Sequence, residues 1–488
     1  MKLTAAVFAV ATAFIGAAHA ETDIRLEPTA CSGWTTVAET VTADCGYLHV
    51  PENRANPNSR NIAIAYMRLR SAAATPATPL IIMMGGPGVR SIPARIPGPH
   101  PVLETRDLIY LEQRGTVLTN PALRCPEYNA AGRRAGTGQI DGDALARARI
   151  AVTRTCADRA REANIDLTGF TSTQVAADIE DLRRAFDYTQ VNLYGLSYSG
   201  RVMLQVARDF PTSVRAVILN TPMPAEVNYD EFGSTNMRRS LNMVFDACAT
   251  DASCAHAYPN LRQQFTDIIA SARRRLRTIS IEDASDPSGH TNVRVTPWVL
   301  TTALLDQLYD RQSIEQLPRR IDAIARGETG ALREILDGGA SNYPWLQRIA
   351  IWCNEEYAFE DQAAIRRQRT DFLEFSGVDQ STVPPGVCDS AGLRAATPRD
   401  NERITSEAPV LIFSGAFDAA TPPAWQAAMT QTLPNARHVI FPWASHGAGF
   451  SRCGWEMTLA FLADPQAPLN AACVAAPDRL NFALPEAP

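Results

Sequence analysis

The residues of this sequence best placed to do chemistry are a serine, an aspartate and a histidine, in that order. Ser197 lies in Gly195-Leu-Ser-Tyr-Ser199 and is followed by Gly200. An apolar run, Val191 to Tyr194, leads in; a helix-like segment carrying Val202, Leu204 and Val206 leads out and closes at Pro211. In a strand-turn-helix setting, G-x-S-x-G puts its serine at the tip of a sharp, strained turn, and small neighbours are needed to avoid clashes there. The last small position is Ser199 here, where Gly is usual. A serine hydroxyl is a weak nucleophile until a base takes its proton, and that base must be oriented by an acid. Ser414-Gly-Ala-Phe-Asp418 follows one apolar run and Pro442-Trp-Ala-Ser-His446-Gly447 follows another. Taken singly, Asp418 could cap a turn before Thr421-Pro-Pro423, and His446 could be an ordinary loop histidine. Taken together, each at a strand end and in the order Ser, Asp, His, they read as an acyl-transfer triad. His438 falls inside its strand and reads as structural, and His49, His100, His256 and His290 have no comparable setting.

Acyl transfer also needs donors for the developing oxyanion. The backbone N–H after the nucleophile, that of Tyr198, is one by geometry. The second is expected from a loop after an earlier strand, where Gly85-Gly-Pro-Gly88 offers side-chain-free backbone, and Gly86 is the candidate. Gly-Gly-Pro-Gly would also make a plain tight turn.

The elements that must position these groups are buried strands alternating with helices. Residues 61–69 alternate like a strand; Leu80-Ile-Ile-Met-Met84 and Asp107-Leu-Ile-Tyr-Leu111 are short continuous apolar runs, as in strands covered on both faces. Residues 173–188 place Val175, Ile179, Leu182 and Phe186 on one helical face. Residues 214–219, 409–413 and 438–441 are further strands. The alternation predicts an α/β fold with a mostly parallel sheet covered on both sides. From about residue 224 to 406 the pattern turns long, charged and largely helical, with no convincing run of buried strands. We read this stretch as an inserted cap over the carboxyl edge of the sheet, where such folds keep their sites. The expected division is a signal peptide at 1–20, a first part of the core at 21–223, the helical cap at 224–406, and the second part of the core at 407–488.

Residues 1–20 read as an export signal: Lys2, an apolar stretch from Leu3 to Ile15, and the small-residue site Ala18-His-Ala20. No later stretch is apolar enough to cross a bilayer, so stable membrane insertion is not expected, and export to periplasm or medium is. Ten cysteines in an exported chain point to disulfides. They fall into local couples: Cys31 and Cys45, Cys125 and Cys156, Cys248 and Cys254, Cys353 and Cys388, Cys453 and Cys473. Pairing of neighbours would close five short loops, although sequence leaves the connectivity open. With no C-x-x-C and few histidines, no zinc or other metal site and no thioredoxin-like redox motif is expected. Lys2 is the sole lysine, so once it leaves with the signal a Schiff base, a P-loop and a Ser–Lys dyad are excluded. The net charge of −6 becomes −7 without Lys2; a mildly acidic chain lacking a long basic run does not suit nucleic acid.

Gly-Gly-Pro-Gly88, Gln113-Arg-Gly-Thr116, the Ser197 turn, Ser414-Gly-Ala-Phe-Asp418 and Ser445-His-Gly447 occur together and in order. In this the chain resembles the secreted tripeptidyl and prolyl aminopeptidase branch of the α/β-hydrolases. The likeness spans nearly the whole chain after residue 20, including Cys248 to Cys254 followed by Tyr258-Pro259, and Trp352-Cys353. It implies cofactor-free serine hydrolysis of short peptides from the amino end. Three positions depart from the pattern: Met84 where His or Asn is frequent, Glu112 where Asp is usual, and Ser199. An exopeptidase must hold the substrate's ammonium against an anion, or its desolvation goes uncompensated. Glu355 and Glu356, beside Cys353, are the candidates, with a solvated helix face as their alternative role. An esterase or lipase could use the same triad, and a non-catalytic binding protein on this fold is the third reading.

Overall fold

The structure is a computed structural model and describes residues 24–284, 286–336, 342–378, 383–394, 396–475 and 479–485. The expected signal, residues 1–20, lies outside the described residues.

Nine strands form one sheet. In chain order they are β1 (Arg25–Thr29), β2 (Ala43–Pro51), β3 (Asn61–Leu69), β4 (Ala77–Met83), β5 (Arg106–Leu111), β6 (Val191–Leu196), β7 (Val214–Asn220), β8 (Val410–Gly415) and β9 (Ala436–Phe441). In space the order is β1-β2-β3-β5-β4-β6-β7-β8-β9. Every pair from β5 to β9 is parallel, and the strands before β5 join antiparallel. The apolar runs become the middle of the sheet because their residues are buried on both faces: Leu80 to Met83 and Val410 to Gly415 are buried throughout. β9, at the edge, is only half-buried. Parallel strands share one carboxyl edge, so the loops leaving β4, β6, β8 and β9 emerge on the same side.

Helices cover both faces. Helix α1 (Ser172–Ala185) starts where Thr171 Oγ1 accepts the N–H of Gln174 and packs Val175, Ile179 and Leu182 against the sheet, as their spacing predicts. Helix α2 (Tyr198–Asp209) lies on that face, with Val202, Met203 and Val206 buried. On the other face Met457 and Phe461 of a C-terminal helix, Arg452–Ala463, pack among strand residues. Each such side chain contributes about 1.5–3 kcal/mol by leaving water.

Between β7 and β8 the chain is mainly helical. Helix α3 (Gly233–Thr250) and several others surround their own apolar cluster, while helix α4 (Trp345–Glu355) packs Leu346, Ile349 and Trp352 into a separate one with Tyr128 and Phe170. An antiparallel hairpin, Arg277–Glu282 with His290–Val295, adds two strands to this region. Its alternation, with Ile279, Ile281, Val293 and Val295 inward, is short and flanked by arginines, which hid it in the sequence. Phe417 and Ala419 join the same cluster, so the cap core packs directly on the loop that follows β8. All ten cysteines pair with their neighbours: Cys31–Cys45, Cys125–Cys156, Cys248–Cys254, Cys353–Cys388 and Cys453–Cys473. No helix among the described residues is long and apolar enough to cross a membrane.

Candidate active site

Ser197 sits at the junction of β6 and α2 with φ 56° and ψ −123°. A non-glycine residue with positive φ is strained and persists only when its surroundings fix it. Here they do: Ser197 N–H donates to Asn220 O (3.0 Å), and Ser197 O accepts from Gly200 N (2.9 Å) and Met223 N (3.0 Å). A Cβ on Gly195 would stand 2.6 Å from Ser199 O, so the turn closes only with glycine there. The loop after β4 presses equally close, since a Cβ on Gly85 would lie 2.7 Å from both Leu196 O and Ser197 Cβ.

Asp418, wholly buried, follows β8. Its Oδ1 accepts the N–H groups of Ala420 (2.8 Å) and Thr421 (2.9 Å). Its Oδ2 lies 2.9 Å from Thr421 Oγ1 and 2.9 Å from His446 Nδ1. One carboxylate thus both caps the turn and meets the histidine ring. Facing a carboxylate, Nδ1 carries its proton, which leaves Nε2 as the basic nitrogen. Helix α3 steadies this turn: Arg239 donates to the carbonyls of Ala416 (2.7 Å) and Asp418, and Ser240 Oγ to Phe417 O (2.6 Å). The His446 loop is tied to the strand beside Ser197, because Gly447 N–H donates to Thr221 Oγ1 (3.1 Å), one residue past Asn220. Ser197, Asp418 and His446 thus come from β6, β8 and β9 to one edge of the sheet.

The loop carrying Gly86 is clamped from three sides, and the three unusual residues do much of it. Gln113 Nε2 donates to Met84 O (2.6 Å) and Gly85 O (2.9 Å), while its Oε1 accepts Gly88 N–H (3.0 Å). Ser199 Oγ donates to Met84 O, a link that glycine could not make. Buried Glu112 accepts Ser91 N–H (3.0 Å), Ile92 N–H (2.9 Å) and Thr116 Oγ1–H (2.7 Å). Gly86 adopts φ 112°. Tyr198 opens α2, where the first N–H groups have no intrahelical acceptor.

Glu355 and Glu356 end α4 and are both buried, not part of a solvated face. Glu355 is taken up by the core: it accepts Ser172 N–H and Ser172 Oγ–H (2.5 Å), and Arg201 stands 3.7 Å away. Glu356 Oε1 accepts from Arg201, and its Oε2 has no hydrogen-bond partner. Burial pushes Glu356 up to about 7 against the pull of Arg201. Sequence reasoning missed the neighbours. Glu360, also buried, is held well above the usual carboxylate range by burial, with Asp230 and Glu356 beside it. Tyr229 contacts the rings of Trp352 (5.9 Å) and Trp425 (6.0 Å), and the Tyr309 ring meets His446 edge-on at 6.0 Å. The i, i+4 spacing of Glu356 and Glu360 was the one available signal.

Among the described residues, Cys125, Glu127 and Cys156 alone have ligand-like spacing. The two sulfurs form a disulfide, which removes the thiolates a metal would need.

Residues 374–473 match the family model described as TAP-like protein. Serine protease Hip1 of Mycobacterium tuberculosis is 27% identical over 226 residues, which are 43% of this chain and 42% of that protein. Putative hydrolase YuaR of Escherichia coli is 25% identical over 225 residues, 43% of each. The chain thus matches less than half the length of these curated relatives. Among solved structures, proline iminopeptidase of Mycobacterium smegmatis aligns over 86% of this chain and 98% of its own at 17% identity, TM-score 0.36. A thermophilic esterase of Thermogutta terrifontis aligns over 86% and 99% at 13% identity, TM-score 0.37. The mostly parallel sheet with its inserted helical region is an α/β-hydrolase fold, and residues 374–473 of the chain are similar to the TAP-like proteins.

Proposed function

We propose that the protein is an exported serine aminopeptidase that releases short peptides or single residues from peptide amino termini, with core at 21–223 and 407–488 and cap at 224–406. Ser197 Oγ attacks the scissile carbonyl as His446 Nε2 takes its proton. Asp418 holds the imidazole in the required tautomer and stabilises the imidazolium. The N–H groups of Gly86 and Tyr198 receive the oxyanion. His446 then protonates the leaving amine, and water, activated by the same histidine, hydrolyses the acyl-enzyme.

One observation carries the exopeptidase part: the seam reached from His446 through Tyr309 and Tyr229 holds more buried carboxyl groups than guanidinium groups. Glu355, Glu356, Glu360 and Asp230 stand against Arg201 and Arg348, and Glu356 Oε2 lacks a partner. An ammonium placed there completes the charge balance, and Tyr229 and Tyr309 lead from Asp230 towards His446. Glu356 is the better anchor and Glu355 the poorer, because Ser172 already occupies Glu355. The five disulfides support an oxidising destination. The test is a panel of peptides with free or acetylated amino termini, alongside simple acyl esters. Preference for the free amine supports the aminopeptidase; equal cleavage of both, with good ester turnover, replaces it by an esterase.

A further inference from the structure

A cavity of about 240 Å³ opens beside His446. Its walls are mainly apolar, with Phe441, Trp443, Val474 and the Cys453–Cys473 disulfide; Asp310 and Arg311 also line it, and His446 itself stands on one side. It lies past the end of β9, the outermost strand, whereas the Gly86 loop leaves β4 on the opposite flank of β6. The two flanks of the nucleophile are therefore unlike. Polar backbone faces the acyl carbonyl on one, and an apolar recess adjoins the general acid on the other.

We propose that this cavity is the subsite for the leaving group and takes the apolar side chain of the residue just after the scissile bond. The reading rests on the triad assignment above. Whatever nitrogen leaves must come within hydrogen-bond reach of His446 Nε2, about 2.6–3.2 Å, to be protonated. The side chain borne by that nitrogen's own residue then falls within a few bonds of His446, on the side away from the oxyanion loop. Trp443 is a fixed wall for it, since its ring stacks on Phe417 (6.0 Å) next to Asp418. The disulfide pins Cys473, and Val474 beside it, to the start of the helix Arg452–Ala463. The recess is thus built into the same loops that hold the acid and the base.

The acyl-enzyme permits a direct measurement, because an added amine can replace water as the second acceptor. Its nitrogen bonds to the acyl carbon and passes a proton through His446 to Ser197 Oγ, as the Oγ–C bond breaks. The acceptor enters by the path the leaving group took. With an aminoacyl ester as donor, leucinamide should intercept the acyl-enzyme of the wild-type protein about tenfold better than glycinamide, equivalent to about 1.4 kcal/mol. Val474→Asp should bring that ratio close to one, and Val474→Ile should keep it. Equal interception by the two amides in the wild-type protein overturns the subsite with no variant needed. An unchanged ratio in a folded Val474→Asp protein overturns the placement of the recess. Failure of the hydrolase reading looks different: no acyl-enzyme forms, no amide product appears, and a serine-directed phosphonate leaves Ser197 unlabelled.

Discussion

Glu356→Gln keeps the shape of the side chain and removes its charge, which makes it the sharpest probe of the ammonium site. Arg201 retains Glu355 at 3.7 Å and the Asp400 carbonyl, so the guanidinium is not stranded. Glu356 Oε2, unpartnered in the free protein, is the atom an ammonium would meet, and a hydrogen bond between charged groups contributes about 1.5–3 kcal/mol. The expected loss in kcat/KM for a substrate with a free amino terminus is therefore about 10- to 150-fold. The acetylated twin has no ammonium to lose and should change little. A second readout is the pH profile. Burial raises Glu356 to about 7, with Arg201 opposing and Glu355 adding to the rise. A carboxylate raised in this way is neutral below that pH and anionic above it. Preference for the free amine should hence decline as pH falls through about 7 in the wild-type protein, and the Gln variant should lack the step. Steady-state assays of both peptides across that range decide the matter. A Gln variant with wild-type preference for the free amine, or a wild-type preference with no step near pH 7, refutes this anchor.

Ser197→Ala should abolish labelling by a serine-directed phosphonate and leave the circular dichroism unchanged; full labelling would move the nucleophile elsewhere. Asp418→Asn should retain a residue of activity, because oxyanion stabilisation and substrate binding still act; a wild-type rate would remove Asp418 from the triad. Ser199→Ala deletes the hydrogen bond to Met84 O and should cost about 1 kcal/mol of stability, with kcat falling more than KM rises. Unchanged kcat would mean that the remaining contacts, from Gln113, Glu112 and Tyr343, suffice to hold the Gly86 loop. Removing the Cys353–Cys388 bridge, which spans 35 residues, by paired Ala substitutions should lower cap stability by about 4 kcal/mol on the chain-entropy account. Denaturant titration followed by tryptophan fluorescence checks this, since Trp352 adjoins the bridge.

The placement of Ser197, Asp418 and His446 at one sheet edge was legible because its cues are local. A strand-end turn with glycine at position 195, and aspartate and histidine just past later apolar runs, specify backbone shape and edge placement within a few residues. The buried strands and the helix, read at 173–188 and found at Ser172–Ala185, were legible for the same reason: their periodicity is written in consecutive side chains. Spacing suggested neighbour pairing of the cysteines, and the structure supplied the connectivity. Three things waited for the tertiary structure. Glu355 and Glu356 are neighbours on one helix end, yet a step of one residue turns a helix by about 100°. Which acid meets Ser172 and which keeps an open oxygen depends on how α4 is rotated against α1 and α2. Asp230 and Glu360, more than a hundred residues apart in sequence, became neighbours only when the cap folded. Ser199 and Glu112 looked like departures until packing gave each its bond, Ser199 to Met84 O and Glu112 to the backbone at residues 91 and 92. The chemistry of the nucleophile is set by short-range backbone geometry, which sequence encodes directly. The electrostatics around it are sums over groups brought together by long-range packing, and no window of sequence contains them.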